Sequence, residues 1–95
     1  MSYVLIRHKV ADYAKWKRGV RAAAAWRKAS GEVSFQVFRS STDPNDLTVV
    51  CRWASAARMR KFVDSAELRE RMQQVGVINK PEIQFFSQAD DLSVG

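Results

Sequence analysis

The chain has 95 residues, 46% hydrophobic and 27% charged, a length that supports one domain with a single core. Four Gly and two Pro are too few for a low-complexity or disordered chain. Sixteen Lys and Arg against ten Asp and Glu give a net charge of +6. We therefore expect one folded domain over residues 1–95, with a polar tail over residues 88–95.

The amino-terminal segment and the single cysteine bear on the compartment. Residues 3–6 form an apolar run shorter than the roughly 7 to 15 residues of a secretory signal. No segment approaches the roughly 20 apolar residues of a membrane span. Cys51 has no second cysteine to pair with, which excludes an internal disulfide and a Cys-based zinc cluster. We expect a cytoplasmic protein that does not contact membranes, with Cys51 as a small buried residue.

Alternating and helical patterns predict the first half of the chain. The first strand covers residues 3–10 and places Val4, Ile6, His8 and Val10 on one face. A helix capped by Asp12 follows and runs to a stop at Gly31. Its apolar arc consists of Tyr13, Trp16, Val20, Ala23, Ala24 and Arg27.

The second half repeats this order. Strands are predicted over residues 33–39 and 47–53, separated by a polar turn. A second helix begins at Ser55, kinks at a new cap over residues 64–67 and ends at Gly76. A last strand follows Pro81. The inward faces of these elements are expected to carry Val33, Phe35, Val37, Leu47, Val49, Cys51, Trp53, Met59, Phe62, Leu68, Met72, Ile83 and Phe85.

The order βαββαβ predicts a ferredoxin-like α+β sandwich, an antiparallel sheet with two helices on one face. The opposite face of the sheet mixes large apolar and polar side chains, a mixture typical of an interface. We therefore expect a homodimer formed through this face. The residues of this open face are Leu5, Arg7, Gln36, Phe38, Val50, Arg52, Gln84 and Phe86.

Several segments also resemble a known group of proteins. They are residues 8–16, 27–31, 37–39 with 43–45, 65–68 and 75–77. Together they resemble small bacterial proteins of the dimeric α+β barrel superfamily, which includes antibiotic biosynthesis monooxygenases, polyketide cyclases, muconolactone isomerases, haem-degrading enzymes and uncharacterised members. The resemblance implies a dimer of ferredoxin-like domains more firmly than one reaction.

The chain departs from that group in the first helix. Arg21 and Ala23 stand where the similar proteins carry an acidic side chain and a second histidine. No histidine follows His8, so the axial ligand of the haem-degrading branch is missing. We expect no cofactor and no metal, because metal-ligand clusters and glycine-rich phosphate loops are also absent from the sequence.

His8 is the candidate catalytic residue. Its place on the apolar face of the first strand predicts burial beneath the first helix, near Trp16. It would then be either a general base or hydrogen-bond donor in a cavity, or a core histidine bonded to a backbone carbonyl.

The candidate ligand-binding residues lie around the same space. Arg27 on the sheet-facing arc would bind an anionic ligand or a buried carboxylate, or form an ion pair at the helix end. The remaining candidates would line a pocket for a flat aromatic molecule, or would only fill the core. They are Trp16, Phe35, Trp53, Met59, Phe62 and Met72.

Five cationic residues along the first helix would attract an anionic partner if they formed a binding surface. No recognition motif accompanies them, so we interpret them as a solvated face and expect no nucleic-acid partner. They are Lys15, Lys17, Arg18, Arg21 and Lys28.

The leading functional hypothesis is a homodimeric domain that binds a small hydrophobic or aromatic molecule between sheet and helices. Its enzymatic version is a cofactor-independent monooxygenase, or a cyclase-like enzyme, acting on an aromatic or polyketide-like substrate with His8 as proton acceptor. The alternative is a non-catalytic ligand-binding or interaction module.

Overall fold

The computed structural model describes residues 2–95 and contains four strands and four helices over that range. In chain order the elements are β1 (Ser2–Lys9), α1 (Tyr13–Ala22), α2 (Ala24–Ser30), β2 (Glu32–Arg39), β3 (Asp46–Trp53), α3 (Ala56–Val63), α4 (Ala66–Gln74) and β4 (Glu82–Ser87).

The strands form one antiparallel sheet in the order β2-β3-β1-β4. This topology confirms the predicted ferredoxin-like sandwich. Strand β1 lies in the middle, with Val4 opposite Cys51 and His8 opposite Leu47. The pairing with β3 continues through His8, whereas the pairing with β4 ends at Arg7, so β3 holds the backbone that carries His8.

The core lies between the sheet and the helices. The inward residues of β1 and β3 are almost fully buried, which confirms the alternation predicted for both strands: Val4, Ile6, His8, Leu47, Val49, Cys51 and Trp53. No helix within residues 2–95 is long and apolar enough to cross a membrane.

The prediction of one unbroken first helix is wrong. The helix stops at Ala23, whose ψ of 4° is not helical, and α2 begins at the next residue. At this break the guanidinium of Arg27 donates a hydrogen bond to the carbonyl of Val20. Ala24, predicted on the buried arc, is exposed, whereas Trp26, which was not predicted there, packs against Phe62.

The second helix is interrupted at the predicted place. The Ser55 hydroxyl caps α3 by accepting from the amide of Arg58. Ser65 caps α4 by accepting from the amide of Leu68. The predicted kink is therefore a complete break with its own serine cap, since that hydroxyl satisfies an amide that the first turn leaves unpaired.

Two residues expected to face the helices are exposed. Strand β2 has a bulge between Glu32 and Ser34, so Val33 does not pair and is 45% exposed. Glu32 takes the inward position, opposite the buried Trp53. Ile83 is opposite the inward Ile6 but is 38% exposed, because β4 is an edge strand of the sheet.

Candidate functional site

A cavity of about 80 Å³ lies between the sheet and the four helices. This is several times the roughly 10–15 Å³ that one water molecule needs. Its walls are mostly apolar side chains of the core. Of the predicted site residues, those that line it are His8, Trp16, Arg27, Phe35, Trp53, Phe62 and Met72. Met59 is buried in the core but does not line the cavity.

His8 reaches the cavity from the last part of β1 and is only 4% exposed. Its ring centroid lies 5.8 Å from that of Trp16. Neither ring nitrogen has a hydrogen-bond partner within residues 2–95. The predicted burial near Trp16 is confirmed. The alternative of a histidine bonded to a backbone carbonyl is wrong.

The charge state of His8 follows from this burial. Desolvation lowers the pKa of His8 below its ordinary value, and the charge of Asp46 only partly opposes that shift. The imidazole is therefore neutral at pH 7, with one nitrogen able to accept a proton and the other able to donate one.

Trp53 contributes a second unpartnered group to the cavity wall. Its side chain is fully buried and packs against Phe62 with ring centroids 4.8 Å apart. Its indole N–H finds no acceptor in the part of the chain that the structure describes. Because buried polar groups are nearly always hydrogen-bonded, the imidazole of His8 and the indole N–H of Trp53 are the groups of this wall that a bound molecule or a water would pair with.

Arg27 and Glu32 form an ion pair at the cavity wall. Arg27 Nε donates to Glu32 Oε1 over 2.9 Å, with side chains 14% and 6% exposed. The guanidinium also stacks over Phe35, 4.4 Å from the ring centroid. The predicted pairing of Arg27 with a buried carboxylate is confirmed. The predicted contact between Arg27 and a ligand stays a prediction.

Glu32 is a cavity residue that the sequence pattern did not reveal. Strict alternation along β2 assigns the inward positions to Val33, Phe35 and Val37, and only the bulge turns Glu32 inward. Burial raises the pKa of Glu32, and the hydrogen bond from Arg27 opposes that shift. The cavity thus contains an acidic group as well as an imidazole.

Cys51 faces the same region from β3. It is buried, as predicted, and its pKa is raised by burial first and by the charge of Glu32 second. The thiol is therefore protonated and inert at neutral pH.

Trp26 and Arg71 also line the cavity without having been predicted. The Arg71 guanidinium stacks on the Trp26 ring at 4.2 Å. Trp26 lies three residues after Ala23 and seven after Gly19, a helical spacing that the predicted apolar arc left out. Ala23 itself lines the cavity, so a methyl group stands where the resemblance suggested a second histidine.

The cationic residues of the first helix are outside this site. All five, Lys15, Lys17, Arg18, Arg21 and Lys28, are exposed, and none lines the cavity. Their exposure agrees with a solvated face.

Solved structures with the same fold cover nearly the whole chain. SnoaB, a cofactor-independent oxygenase from Streptomyces nogalater, has 15% identity and a TM-score of 0.76 and covers 96% of this chain and 95% of its own. A Bordetella bronchiseptica protein provisionally assigned as an antibiotic biosynthesis monooxygenase has 20% identity and a TM-score of 0.75, covering 93% and 96%. Rv0793 from Mycobacterium tuberculosis has 15% identity and a TM-score of 0.69, covering 97% and 98%.

These identities are low enough that the structures support the fold alone. No curated protein matches the chain significantly. The family profile described as antibiotic biosynthesis monooxygenase matches residues 6–74, from the middle of β1 to the end of α4. This match includes most of the cavity wall and covers well over half of the chain, so the chain belongs to the antibiotic biosynthesis monooxygenase family.

Proposed function

We propose that the protein is a cofactor-independent monooxygenase that oxidises a small phenolic ring bound in the cavity, with His8 as the proton acceptor. The observation that carries this proposal is the state of His8. It is a buried neutral imidazole on an apolar cavity, and neither nitrogen has a partner. The family match and the fold shared with an oxygenase support the reaction type.

The chemistry begins with a phenol O–H placed at a His8 nitrogen. Transfer of that proton gives an electron-rich phenolate, which reacts with dioxygen at a ring carbon bearing hydrogen. One oxygen atom becomes a carbonyl oxygen on the ring, and the second leaves as water, so that a phenol and O₂ give a quinone and H₂O. The ring supplies all the electrons that dioxygen takes up.

The surroundings of His8 position this proton transfer. Burial lowers the pKa of His8, so the imidazolium forms only with the phenolate beside it as counter-charge, and the apolar walls strengthen that attraction. Trp16 packs on the imidazole, which fixes the ring where the hydroxyl must be placed.

We further propose that the working form is a homodimer joined through the open face of the sheet. On that face Phe38 is 54% and Phe86 is 43% exposed, and Tyr3 stacks on Phe86. A second copy would remove these rings from water.

Oxygen uptake with electron-rich phenols tests the catalytic proposal. Purified protein with a chelator present is mixed with 2-naphthol or naphthalene-2,6-diol under ¹⁸O₂. We expect protein-dependent oxygen consumption and a quinone carrying one ¹⁸O atom. Binding of these phenols without any uptake would instead support the non-catalytic binding module.

A further inference from the structure

The cavity as it stands is too small for an aromatic ring. Its volume is about 80 Å³. An apolar cavity that holds benzene in another protein measures roughly 150 Å³. Because a close-packed interior has little other empty space to give, a ring can enter only if part of the wall moves.

Most of the wall is held too firmly to move. Strand β3 is paired on both sides, and its inward residues Val49 and Trp53 are buried. Helix α3 is held in the core by Met59, Phe62 and Val63, which are also buried. Displacing either element would expose apolar core residues to water.

Helix α4 is the least firmly held part of the wall. None of its residues is fully buried. It is set off at both ends, by the Ser65 cap and by Gly76, whose φ of 86° lies in the left-handed region. Segments with few buried contacts open at a lower free energy than the rest of a protein. The residues that face the cavity from α4 and its C-cap are Leu68, Arg71, Met72 and Val75, all half-buried.

A groove of about 560 Å³ runs between α4 and the segment that leads into β4. Its lining includes Ile78 and Ile83, which are 64% and 38% exposed. Exposed apolar side chains grouped around a groove are typical of a surface that takes up apolar molecules. The groove therefore offers such a molecule a first contact beside the cavity.

Two side chains of α4 separate this groove from the cavity. Leu68 and Met72 line both spaces. Val63 also lines both, but it is buried in α3 and, as a valine, is stiff at χ1. Leucine is not branched at Cβ, and methionine adapts readily to irregular space. When Leu68 and Met72 turn aside, the cavity and the groove become one space.

The opposite side of α4 is closed by direct contacts. Val75 lies so near Gly19 that a Cβ added to the glycine would overlap Cγ1 of the valine. Arg71 stacks on Trp26 at 4.2 Å and forms an ion pair with Glu67. A path between α4 and the first two helices would have to break these contacts. A path from the groove needs only the rotation of two side chains.

We propose that Leu68 and Met72 form a gate through which an aromatic ligand passes from the groove into the cavity, and that the bound ring keeps these side chains displaced toward the groove. This assignment rests on the proposed function in taking an aromatic ring as the ligand, but it does not depend on proton transfer to His8.

Exchange rates of two matched probes test the gate. Fluorobenzene and 4-fluorophenol differ by one hydroxyl, so only the phenol can form a hydrogen bond with His8. Fluorine NMR under nitrogen gives their association and dissociation rates with the intact protein. Met72→Ala should raise both rates at least about tenfold for both probes, because it shortens the side chain that blocks the path.

Met72→Ile gives the complementary measurement. Isoleucine is similar in size to methionine but is branched at Cβ and stiff in a helix. Both rates should fall about tenfold, while the dissociation constant changes less than about threefold, because a gate sets the barrier and not the bound state. Should Met72→Ala not fold, Met72→Ile decides alone, since it keeps the volume of the side chain.

Val75→Ala is the matched control for the route. It shortens a side chain at the end of the same helix, on the side of α1, and should change the rates by less than about twofold. A larger acceleration by Val75→Ala than by Met72→Ala would show that ligands pass between α1 and α4, which would overturn the gate.

The remaining outcomes separate the gate from the reaction. Probe rates that neither Met72 variant changes would overturn the gate and leave phenol oxidation at His8 standing. Rates that follow Met72 for both probes, without oxygen uptake from any electron-rich phenol, would support the gate and overturn the monooxygenase. Failure of both probes to bind would overturn both proposals.

Discussion

The imidazole of His8 packs against the indole of Trp16 with ring centroids 5.8 Å apart and planes inclined by 55°. This contact covers one side of the imidazole with an apolar ring, while its nitrogens are left without protein partners. His8 is thus held in position by packing, and no protein group within residues 2–95 competes with a ligand for its nitrogens. Burial favours its neutral form, so a phenolate formed beside it must supply the charge that stabilises the imidazolium.

His8→Ala should lower turnover of a phenol that the wild type oxidises by about 10²- to 10⁴-fold, the usual loss when a positioned acid or base is removed. Ala23 and the exposed Arg21 offer no replacement base in the first helix. Oxygen uptake at saturating phenol measures the effect. An unchanged sedimentation coefficient would show that the variant keeps its assembly. Normal turnover by His8→Ala would show that another group accepts the proton.

The pH dependence of stability should reveal the buried imidazole. The folded pKa of His8 is lowered, so the unfolded chain binds a proton more readily than the native protein. The stabilisation by neutral His8 is complete above about pH 6.5 and is lost as the pH falls from there through the folded pKa. Urea unfolding at pH 7.5, 6.5 and 5.5 measures this loss.

His8→Leu is the matched variant for that series. It removes both unpartnered nitrogens, and we expect it to raise the unfolding free energy of the ligand-free protein by about 1 to 2 kcal/mol at pH 7.5. The gain should widen toward pH 5.5, because leucine does not titrate. Parallel pH profiles for the two proteins would show that His8 titrates as a solvent-exposed side chain does.

The sequence predicts the position of His8 because β1 and β3 follow strict alternation. Both are central strands, so the face of each residue depends only on whether its position is odd or even. The site is harder to predict where strand pairing changes or a helix is interrupted. Nothing in the run around Ala23 breaks a helix, since alanine is the best helix former. The break forms where Arg27 binds the Val20 carbonyl, a contact of the folded structure.

The bulge at Val33 is also a feature that the sequence pattern does not predict. A Gly-Glu-Val sequence is compatible with either Glu32 or Val33 facing inward, and alternation favours the apolar residue. The structure instead satisfies Glu32 with Arg27, five residues earlier in the chain. The sequence pattern therefore predicted that His8 faces the site. The inward position of Glu32 depends instead on its ion pair with Arg27 of α2, which the pattern does not show.

Arg27→Met should destabilise the protein by about 3 to 5 kcal/mol at pH 7, because it leaves the buried Glu32 carboxylate without its partner. The loss should shrink as the pH falls toward 5, where protonation of Glu32 removes the unpaired charge. Urea unfolding gives the free energies.

Two further variants separate charge from packing at this position. Arg71→Met disrupts the more exposed pair with Glu67 and should cost about 1 kcal/mol or less. Adding Glu32→Leu to Arg27→Met should recover most of the loss, because no buried charge remains. If the double variant is no more stable than Arg27→Met, the stacking of Arg27 on Phe35 is the dominant contribution.

Gly19→Ala should destabilise the protein although alanine is the better helix former by about 1 kcal/mol. A Cβ at position 19 would overlap Cγ1 of Val75, and the Val75 Cβ would lie 3.3 Å away. Valine is stiff at χ1, so it cannot turn aside freely. We expect a net loss of about 1 to 2 kcal/mol in thermal unfolding.

The double variant Gly19→Ala with Val75→Ala tests that explanation. Removing the Cγ atoms frees the space, so Gly19→Ala should become neutral or stabilising in the Val75→Ala background. Equal losses in both backgrounds would rule out the steric contact between α1 and residue 75.

Phe86→Glu should convert the proposed dimer to a monomer. Phe86 is on β4, on the open face of the sheet, where it stacks on Tyr3 with ring centroids 5.6 Å apart. A carboxylate at this position would lose its water of hydration in an interface between two sheets, a cost that apolar contacts do not offset. Analytical ultracentrifugation of wild type and variant at micromolar concentration measures the assembly.

Gln73→Glu, exposed on α4 on the opposite side of the sheet, introduces the same charge and should leave the dimer intact. A wild-type protein that sediments as a monomer would remove the dimer proposal, and an intact dimer for Phe86→Glu would move the interface to another surface.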